Sequence, residues 1–131
     1  MPSPTDADVV RRLYQALADR DLAAVESCFA RDVVWQVPGT SPIAGVHHGW
    51  SQIWDDFMAK LGPLSGETFR ADLVDVAIGG SFVVAVQHAT ASYRGKTLDI
   101  TACQLITVRE GLIQEVRGHY SDQDALDAFW Q

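Results

Sequence analysis

The sequence has few cysteines, few basic residues and no long apolar run. Its two cysteines, Cys28 and Cys103, are too few for a disulfide framework. Lysine and arginine number 10 against 17 aspartates and glutamates, so the formal net charge is −7 and a phosphate backbone would be repelled. No apolar stretch reaches the roughly 20 residues of a membrane helix, and the N-terminus does not read as a secretory signal. We expect a cytoplasmic protein that binds neither nucleic acid nor a membrane.

Motifs for cofactors are also missing. The sequence contains no glycine-rich phosphate loop, no GxSxG elbow and no dinucleotide fingerprint. The adjacent histidines His47 and His48 have no carboxylate or cysteine at a ligand-like spacing beside them. We therefore predict a protein that uses neither a metal nor a cofactor.

The clearest positive feature is the stretch from Phe82 to Tyr120. Two turn signals, Arg94-Gly95 and Glu110-Gly111, divide it into three runs rich in Val, Ile, Thr and Leu. Such runs are typical of consecutive antiparallel strands. The first two runs are about a dozen residues long, and strands of that length bend because sheet twist accumulates along them. The sequence thus predicts a curved sheet whose concave face must be filled.

The first third of the chain predicts two helices and a strand. Thr5 and Asp21 are placed as the N-caps of two helices that pack as a pair. Residues 33–37 form a strand that Pro38-Gly39 ends, and a loop with proline, glycine and two histidines follows it.

The following elements complete the order. A third helix covers residues 50–61 and ends at Gly62-Pro63, and a strand over residues 68–78 carries a bulge near Val74. A final helix is capped by Ser121 or Asp122. This order indicates a single α+β domain, residues 1–131, whose helices cover one face of the sheet.

His88 is the main candidate for chemistry. It continues the alternation of Phe82, Val84 and Val86, an apolar face that we predict to point inward. A histidine there can be a general acid or base, because its reference pKa lies near neutrality. The other interpretation is a core histidine bonded to a neighbouring hydroxyl or carbonyl. Asp99 could form a pair with His88. Three further residues are predicted to lie near His88: Thr90, Thr101 and Cys103.

The rest of the predicted pocket is mainly aromatic. Aromatic residues at strand or helix spacing usually form core, but in a cavity-forming fold part of that core lines the pocket. His47 is expected at the pocket rim, and Tyr120 on the inward face of the last strand. The candidate lining residues, besides those around His88, are Trp35, Val37, His47, Trp54, Phe57 and Tyr120.

Three segments resemble the SnoaL-like branch of the nuclear transport factor 2-like superfamily. They are LYQALADRDLAAVESCFARDVVWQVPG (13–39), SPIAGVHHGWSQIWDDF (41–57) and REGLIQEVRGHYSDQDALDAF (109–129). The resemblance implies a cone of curved antiparallel or mixed sheet, covered on its concave face by three helices, with a short C-terminal helix. The superfamily includes ketosteroid isomerases, polyketide cyclases, epoxide hydrolases and non-catalytic binding or assembly domains. Function must therefore be argued from the site.

Two known catalytic sets of this superfamily are not matched. The position of the ketosteroid isomerase base holds Val37, and the positions of its oxyanion donors hold Leu13 and Cys103, with Tyr14 one residue off. The Asp-Arg-Asp set of limonene-epoxide-type hydrolases falls on residues of other types, namely His88, Thr90 and Gly118.

Three hypotheses remain open. The first is a cofactor-independent isomerase, cyclase or hydrolase that acts on an apolar small molecule, with His88 moving the proton. The second is a non-catalytic module that binds a hydrophobic ligand. The third is an interaction domain that forms a homodimer through the outer sheet face, which we predict to carry Val83, Ala85, Ala89 and Ala91.

Overall fold

The computed structural model describes residues 2–131, and its centre is one curved six-stranded sheet. The spatial order of the strands is β2-β1-β6-β5-β4-β3. β1 pairs in parallel with β6, and every other pairing is antiparallel. The predicted α+β class with a mixed sheet is therefore confirmed. The strands are β1 Phe29–Val37, β2 Gly45–His48, β3 Arg70–Ile78, β4 Val83–Tyr93, β5 Lys96–Arg109 and β6 Leu112–Tyr120.

Helices close the concave side of this sheet. α1 (Pro4–Asp19) lies against β3, β4, β5 and β6, and α2 (Leu22–Ser27) packs on α1. A longer helical stretch, which we call the roof segment, consists of α3 (Gly49–Gln52), a π-helical part (Ile53–Met58) and α4 (Ala59–Ser65). α5 (Gln123–Trp130) packs against β5. No helix in residues 2–131 is long and apolar enough to cross a membrane.

The helix caps follow local sequence, with one correction. Asp21 and Asp122 cap α2 and α5 as predicted, because each carboxylate accepts a hydrogen bond from the backbone N–H three residues on. α1 begins earlier than the predicted cap Thr5. Its N-cap is Ser3, which exchanges hydrogen bonds with Asp6 in a capping box, and a proline at the first helical position favours that start.

Two boundaries around the roof segment differ from prediction. The expected loop contains the edge strand β2, which pairs with β1 from Val37↔Gly45 to Val34↔His48. Four residues beside proline and glycine carry too little periodicity to show such a strand. The roof segment also continues past Gly62-Pro63 to Ser65. Pro63 lies inside α4, only two residues before its end, where few hydrogen bonds of the helix remain to be made.

The bulge in β3 is confirmed. The pairing of β3 with β4 shifts register between Leu73 and Asp75, so Val74 is left over and is 65% exposed.

The inner face of β4 is the opposite of the predicted one. Alternate residues of β4 are buried beneath the helices, and they include Ala85, Gln87 and Ala89. Val84, Val86 and His88 therefore point to the outer face. Both faces of this strand read as apolar, and the smaller side chains lie inside because α1 contacts the sheet there. The prediction that Val83, Ala85, Ala89 and Ala91 lie on the outer face is thus wrong, because all four are buried on the inner face.

The end of the roof segment supplies a test of this packing. Gly66 ends α4 with φ +61°, and a Cβ atom there would lie 2.4 Å from the Tyr93 ring of β4. Gly95 has φ +79° with open space around it. We expect Gly95→Ala to lower the free energy of unfolding by about 1 kcal/mol through backbone strain alone, and Gly66→Ala by about 3 kcal/mol because overpacking is added. Urea unfolding measures both, and equal losses would contradict close packing of Tyr93 on this turn.

Candidate functional site

An inner cavity lies between the concave sheet face, α1, the roof segment and α5. Its volume is about 60 Å³, and most of its wall is apolar. All strands from β1 to β6 except the edge strand β2 contribute to this wall. The lining residues are Tyr14, Leu17, Trp35, Ile43, Phe57, Met58, Leu61, Phe69, Ala71, Gln87, Ala89, Gln104, Tyr120, Leu126 and Trp130.

A buried hydrogen bond joins α1 to the sheet across this cavity. The Tyr14 hydroxyl donates to Oε1 of Gln87, and both side chains are buried. Burial raises the pKa of Tyr14 far above its ordinary value, and the nearby Tyr120 and Cys103 raise it further. Tyr14 therefore stays protonated at neutral pH and acts as a hydrogen-bond donor.

A second polar pair covers the part of the sheet where β5 meets β6. Gln104 is only 2% exposed and lies opposite Gly118 in the antiparallel pairing. A Cβ atom at Gly118 would lie 3.1 Å from Oε1 of Gln104 and 3.2 Å from the Tyr120 hydroxyl. Because Gly118 has no side chain, the side chains of Gln104 and Tyr120 can occupy this space. Burial raises the pKa of Tyr120, and the adjacent Gln104 partly opposes that shift.

Three buried polar atoms on residues that line the cavity have no hydrogen-bond partner among residues 2–131. They are Nε1 of Trp35, Nε1 of Trp130 and Oε1 of Gln104, and all three residues are buried. Tyr120 is close to Gln104, but its hydroxyl does not reach hydrogen-bond geometry with Oε1. An unsatisfied buried polar group costs about 1–3 kcal/mol, so three of them on residues around one cavity are unusual for a closed core.

The structure separates the predicted site residues into two groups. Trp35, Phe57 and Tyr120 lie on the wall of the inner cavity. The predicted inward position of His88 is wrong, because the β4 alternation puts its side chain on the outer face. Three predicted pocket residues follow it to the outer face, because they share its face in the β4–β5 pairing: Thr90, Thr101 and Cys103.

On the outer face His88 pairs with Asp99, as the sequence allowed. Nε2 of His88 lies 2.5 Å from Oδ1 of Asp99, and the two side chains are 46% and 76% exposed. An exposed pair of this kind is a surface interaction across neighbouring strands. The sheet itself separates His88 from the inner cavity, so a proton transfer from His88 to a ligand there has no path.

Three other predicted lining residues lie near the cavity but do not line it. Val37 is buried on the inner side of β1 and borders an open groove beside Gly118. His47 stacks on Phe57 with ring centroids 5.6 Å apart, and its Nε2 atom is 2.9 Å from the Ile43 carbonyl oxygen. Trp54 borders a separate outer groove between α2 and the roof segment. His47 thus packs against the lining residue Phe57 without lining the cavity itself.

Sequence reasoning missed Tyr14, Gln87 and Gln104 as site residues. Each glutamine interrupts an alternating series of small or branched apolar residues, between Ala85 and Ala89 in β4 and between Ala102 and Ile106 in β5. A neutral polar residue in such a series is the signal that could have found them. Charged and imidazole groups are the usual candidates for chemistry in a sequence, but no charged or imidazole side chain among residues 2–131 lines the cavity.

The same part of the chain holds no cluster suited to a metal. No group of three or more His, Cys, Asp or Glu residues within residues 2–131 is arranged to bind one. The donors available in the cavity are hydroxyl, amide and indole groups, which suit a neutral organic ligand better than a cation.

Comparisons with known proteins establish the family. Residues 10–116 match the SnoaL-like domain model, and the chain belongs to that family. An uncharacterized protein of Mycobacterium tuberculosis is 37% identical over 134 residues, which cover 99% of each chain. The predicted SnoaL-like resemblance is therefore confirmed.

Solved structures with the same fold are similar to this chain. Bal32a, from a soil-derived mobile gene cassette, is 33% identical with a TM-score of 0.90, and the match covers 97% of both chains. A nuclear transport factor 2-like protein from Burkholderia thailandensis is 22% identical with a TM-score of 0.80, over 96% of this chain and 95% of that one. The likeness to the Burkholderia protein shows the fold alone. The Mycobacterium protein and Bal32a indicate no reaction, so activity has to be argued from the cavity.

The buried tyrosines predict a pH dependence. The pKa values of Tyr14 and Tyr120 are raised in the folded chain, so their contribution to stability is complete below the unfolded value of about 10 and is lost as pH rises above it. We expect the free energy of unfolding to fall by up to about 1.4 kcal/mol per pH unit for each tyrosine above pH 10.

Absorbance at 295 nm measures the ionisation directly. Of the three tyrosines in the sequence, two should form tyrosinate only when the chain unfolds. Tyr14→Phe and Tyr120→Phe should each remove one of these delayed ionisations. Ionisation of all three tyrosines near pH 10 in the folded protein would contradict the burial of both hydroxyls.

Proposed function

We propose that this protein binds a small, mainly apolar molecule with a hydrogen-bonding polar head in the inner cavity. One observation carries the proposal, namely three unsatisfied buried polar atoms on residues that line an otherwise apolar cavity. Apolar walls with a few polar groups are the usual composition of small-molecule sites. The two cysteines are free thiols, which supports a reducing compartment, and we propose the cytoplasm.

The polar atoms select the chemistry of the head group. The indole N–H groups of Trp35 and Trp130 can only donate, and Oε1 of Gln104 can only accept. A hydroxyl group both donates and accepts, so it complements either kind of atom. A hydroxyl attached to an aromatic or aliphatic body therefore fits the wall better than a carboxylate or an ammonium group, which would be buried without a counter-charge.

The cavity supports binding more strongly than acid–base catalysis. Its ionisable side chains are Tyr14 and Tyr120, and burial holds the pKa of both above the ordinary value for tyrosine. Neither can take up a proton at neutral pH, and a general base needs a pKa near the working pH. Among the hypotheses from sequence, a non-catalytic ligand-binding module is therefore favoured over an isomerase, cyclase or hydrolase with His88 as its base.

Phenol and toluene form a matched pair of probes for this proposal. They have similar size, but only phenol carries the hydroxyl. We expect phenol to bind at least about tenfold more tightly, because it satisfies buried groups that toluene leaves unpaired. Titration by NMR gives the affinities, and the indole N–H signals of Trp35 and Trp130 should shift with phenol.

Two variants sharpen this test. Gln104→Leu removes the acceptor while keeping the volume similar, and it should lower the phenol-to-toluene affinity ratio while the two indole donors remain. His88→Ala, on the outer face, should leave both affinities unchanged. Failure of phenol to bind, or an equal loss in both variants, would overturn the assignment of the site to the inner cavity.

We also propose a homodimer through the outer sheet face, with corrected residues. Val84 and Leu105 are directly paired on β4 and β5, Val86 is two residues along, and all three are partly exposed in the single chain. A contiguous apolar surface on central strands favours a second sheet as its partner. The proposed interface thus consists of the larger side chains Val84, Val86 and Leu105 in place of the residues expected from the sequence.

Sedimentation equilibrium at micromolar concentration tests this proposal. The wild-type chain should have twice the mass of the 131-residue monomer. Val84→Glu should produce monomers, because its cross-strand partners Leu105 and Ala77 are apolar and the charge would be buried unpaired in the interface. Leu22→Glu, on α2 and away from the sheet, should remain a dimer. A monomeric wild type would overturn the proposal.

A further inference from the structure

The outer groove that borders Trp54 adjoins the inner cavity, and we propose that the two form one ligand site. The ligand would then be an elongated molecule, with its polar head in the inner cavity and an apolar tail in the outer groove. This inference rests on the proposed binding function and adds the class of ligand. The groove lies between the end of α1, α2 and the roof segment, and its volume is about 360 Å³.

A single layer of side chains separates the two spaces. Leu17 of α1, Met58 and Leu61 of the roof segment, and Phe69 before β3 line the cavity on one side and the groove on the other. All four are only partly buried, and they pack against the core without being enclosed by it. A ligand that displaced them would connect the two volumes directly.

The size of the inner cavity requires such an opening. About 60 Å³ is well below the roughly 300–1,000 Å³ that ligand sites typically span, and a single small ring would already fill it. The groove, at about 360 Å³, lies within that range by itself. A molecule that reaches Gln104 and is larger than phenol must therefore extend through the partition.

Two of the four partition residues, Met58 and Leu61, belong to the irregular part of the roof segment. Met58 is the last residue of the π-helical part, and π-helical insertions often occur at functional sites. Methionine has three rotatable bonds and adapts to irregular space. Pro63 lies one turn further on and lacks the N–H that would fix the helix there.

The walls of the groove define the tail. Leu22, Val25 and Trp54 add apolar surface to the four partition residues, and Leu22 is 42% exposed although nothing in the fold requires an apolar residue at a helix start. The charged residues Arg20 and Glu67 also border the groove. An uncharged alkyl or aryl tail fits these walls, with its far end near the charged side chains.

A series of 4-alkylphenols separates this inference from the proposed function. Phenol, 4-ethylphenol, 4-butylphenol and 4-hexylphenol share one head and differ only in tail length. We expect the Kd to fall about fourfold for each added methylene, because each one leaves water for apolar surface. Isothermal titration and NMR on the wild-type chain give the four affinities.

Two groove variants and one control locate the tail. Ala59 borders the groove but not the inner cavity, so Ala59→Trp should fill the groove and abolish the gain with tail length while phenol binds as before. Leu22→Glu reaches the same groove from an exposed position that does not threaten folding, and it should reduce the gain. Val74→Glu, at the exposed bulge of β3, should leave the gain unchanged.

The outcomes distinguish the two proposals. Phenol that binds with no gain from a longer tail would overturn the two-part site and leave the binding function standing. A gain that persists in both groove variants would also overturn it, because the tail would then lie elsewhere. Failure of every probe, including phenol, would overturn the binding function and this inference together.

Discussion

The hydrogen bond between Tyr14 and Gln87 is the interaction on which the rest of the site depends. It joins α1 to the middle of β4 inside the core, where an unpaired partner would be costly. Because Gln87 points inward, every second residue of β4 does so too, and the pairing with β5 then turns Gln104 inward. One buried contact is therefore consistent with only one assignment of faces for the central strands, and that assignment puts His88 outside.

Much of the fold could be predicted because its signals are local. The turns at Gly95 and Gly111, the caps Asp21 and Asp122 and the bulge near Val74 each depend on a few neighbouring residues. The strand β2 and the continuation through Pro63 could not, because they depend on pairing with β1 and on the π-helical hydrogen bonds that precede the proline. Local chemistry thus predicted the elements better than their ends.

The site was harder to predict, because a strand with two apolar faces does not reveal which one is inside. In β4 the larger residues Val84 and Val86 favoured the wrong face, while Ala85 and Ala89 lie inside where α1 approaches closely. β6 gave no such ambiguity, since its inward residue Val116 alternates with the polar residues Glu115 and Arg117, and Tyr120 was therefore predicted to point inward as the structure has it. A face is predictable from sequence only where the two sides differ in polarity.

Gly118 determines how the polar side chains around the inner cavity share the available space. The glycine lies between β1 and Gln104 in the sheet, and its lack of a side chain leaves the space that Gln104 and Tyr120 occupy. Any larger residue at this position would compete with both polar groups for the same volume. In the proposed site, recognition of a polar head would therefore depend on a position that contributes no polar atom, because in a packed core the available space decides which neighbouring groups can reach a ligand.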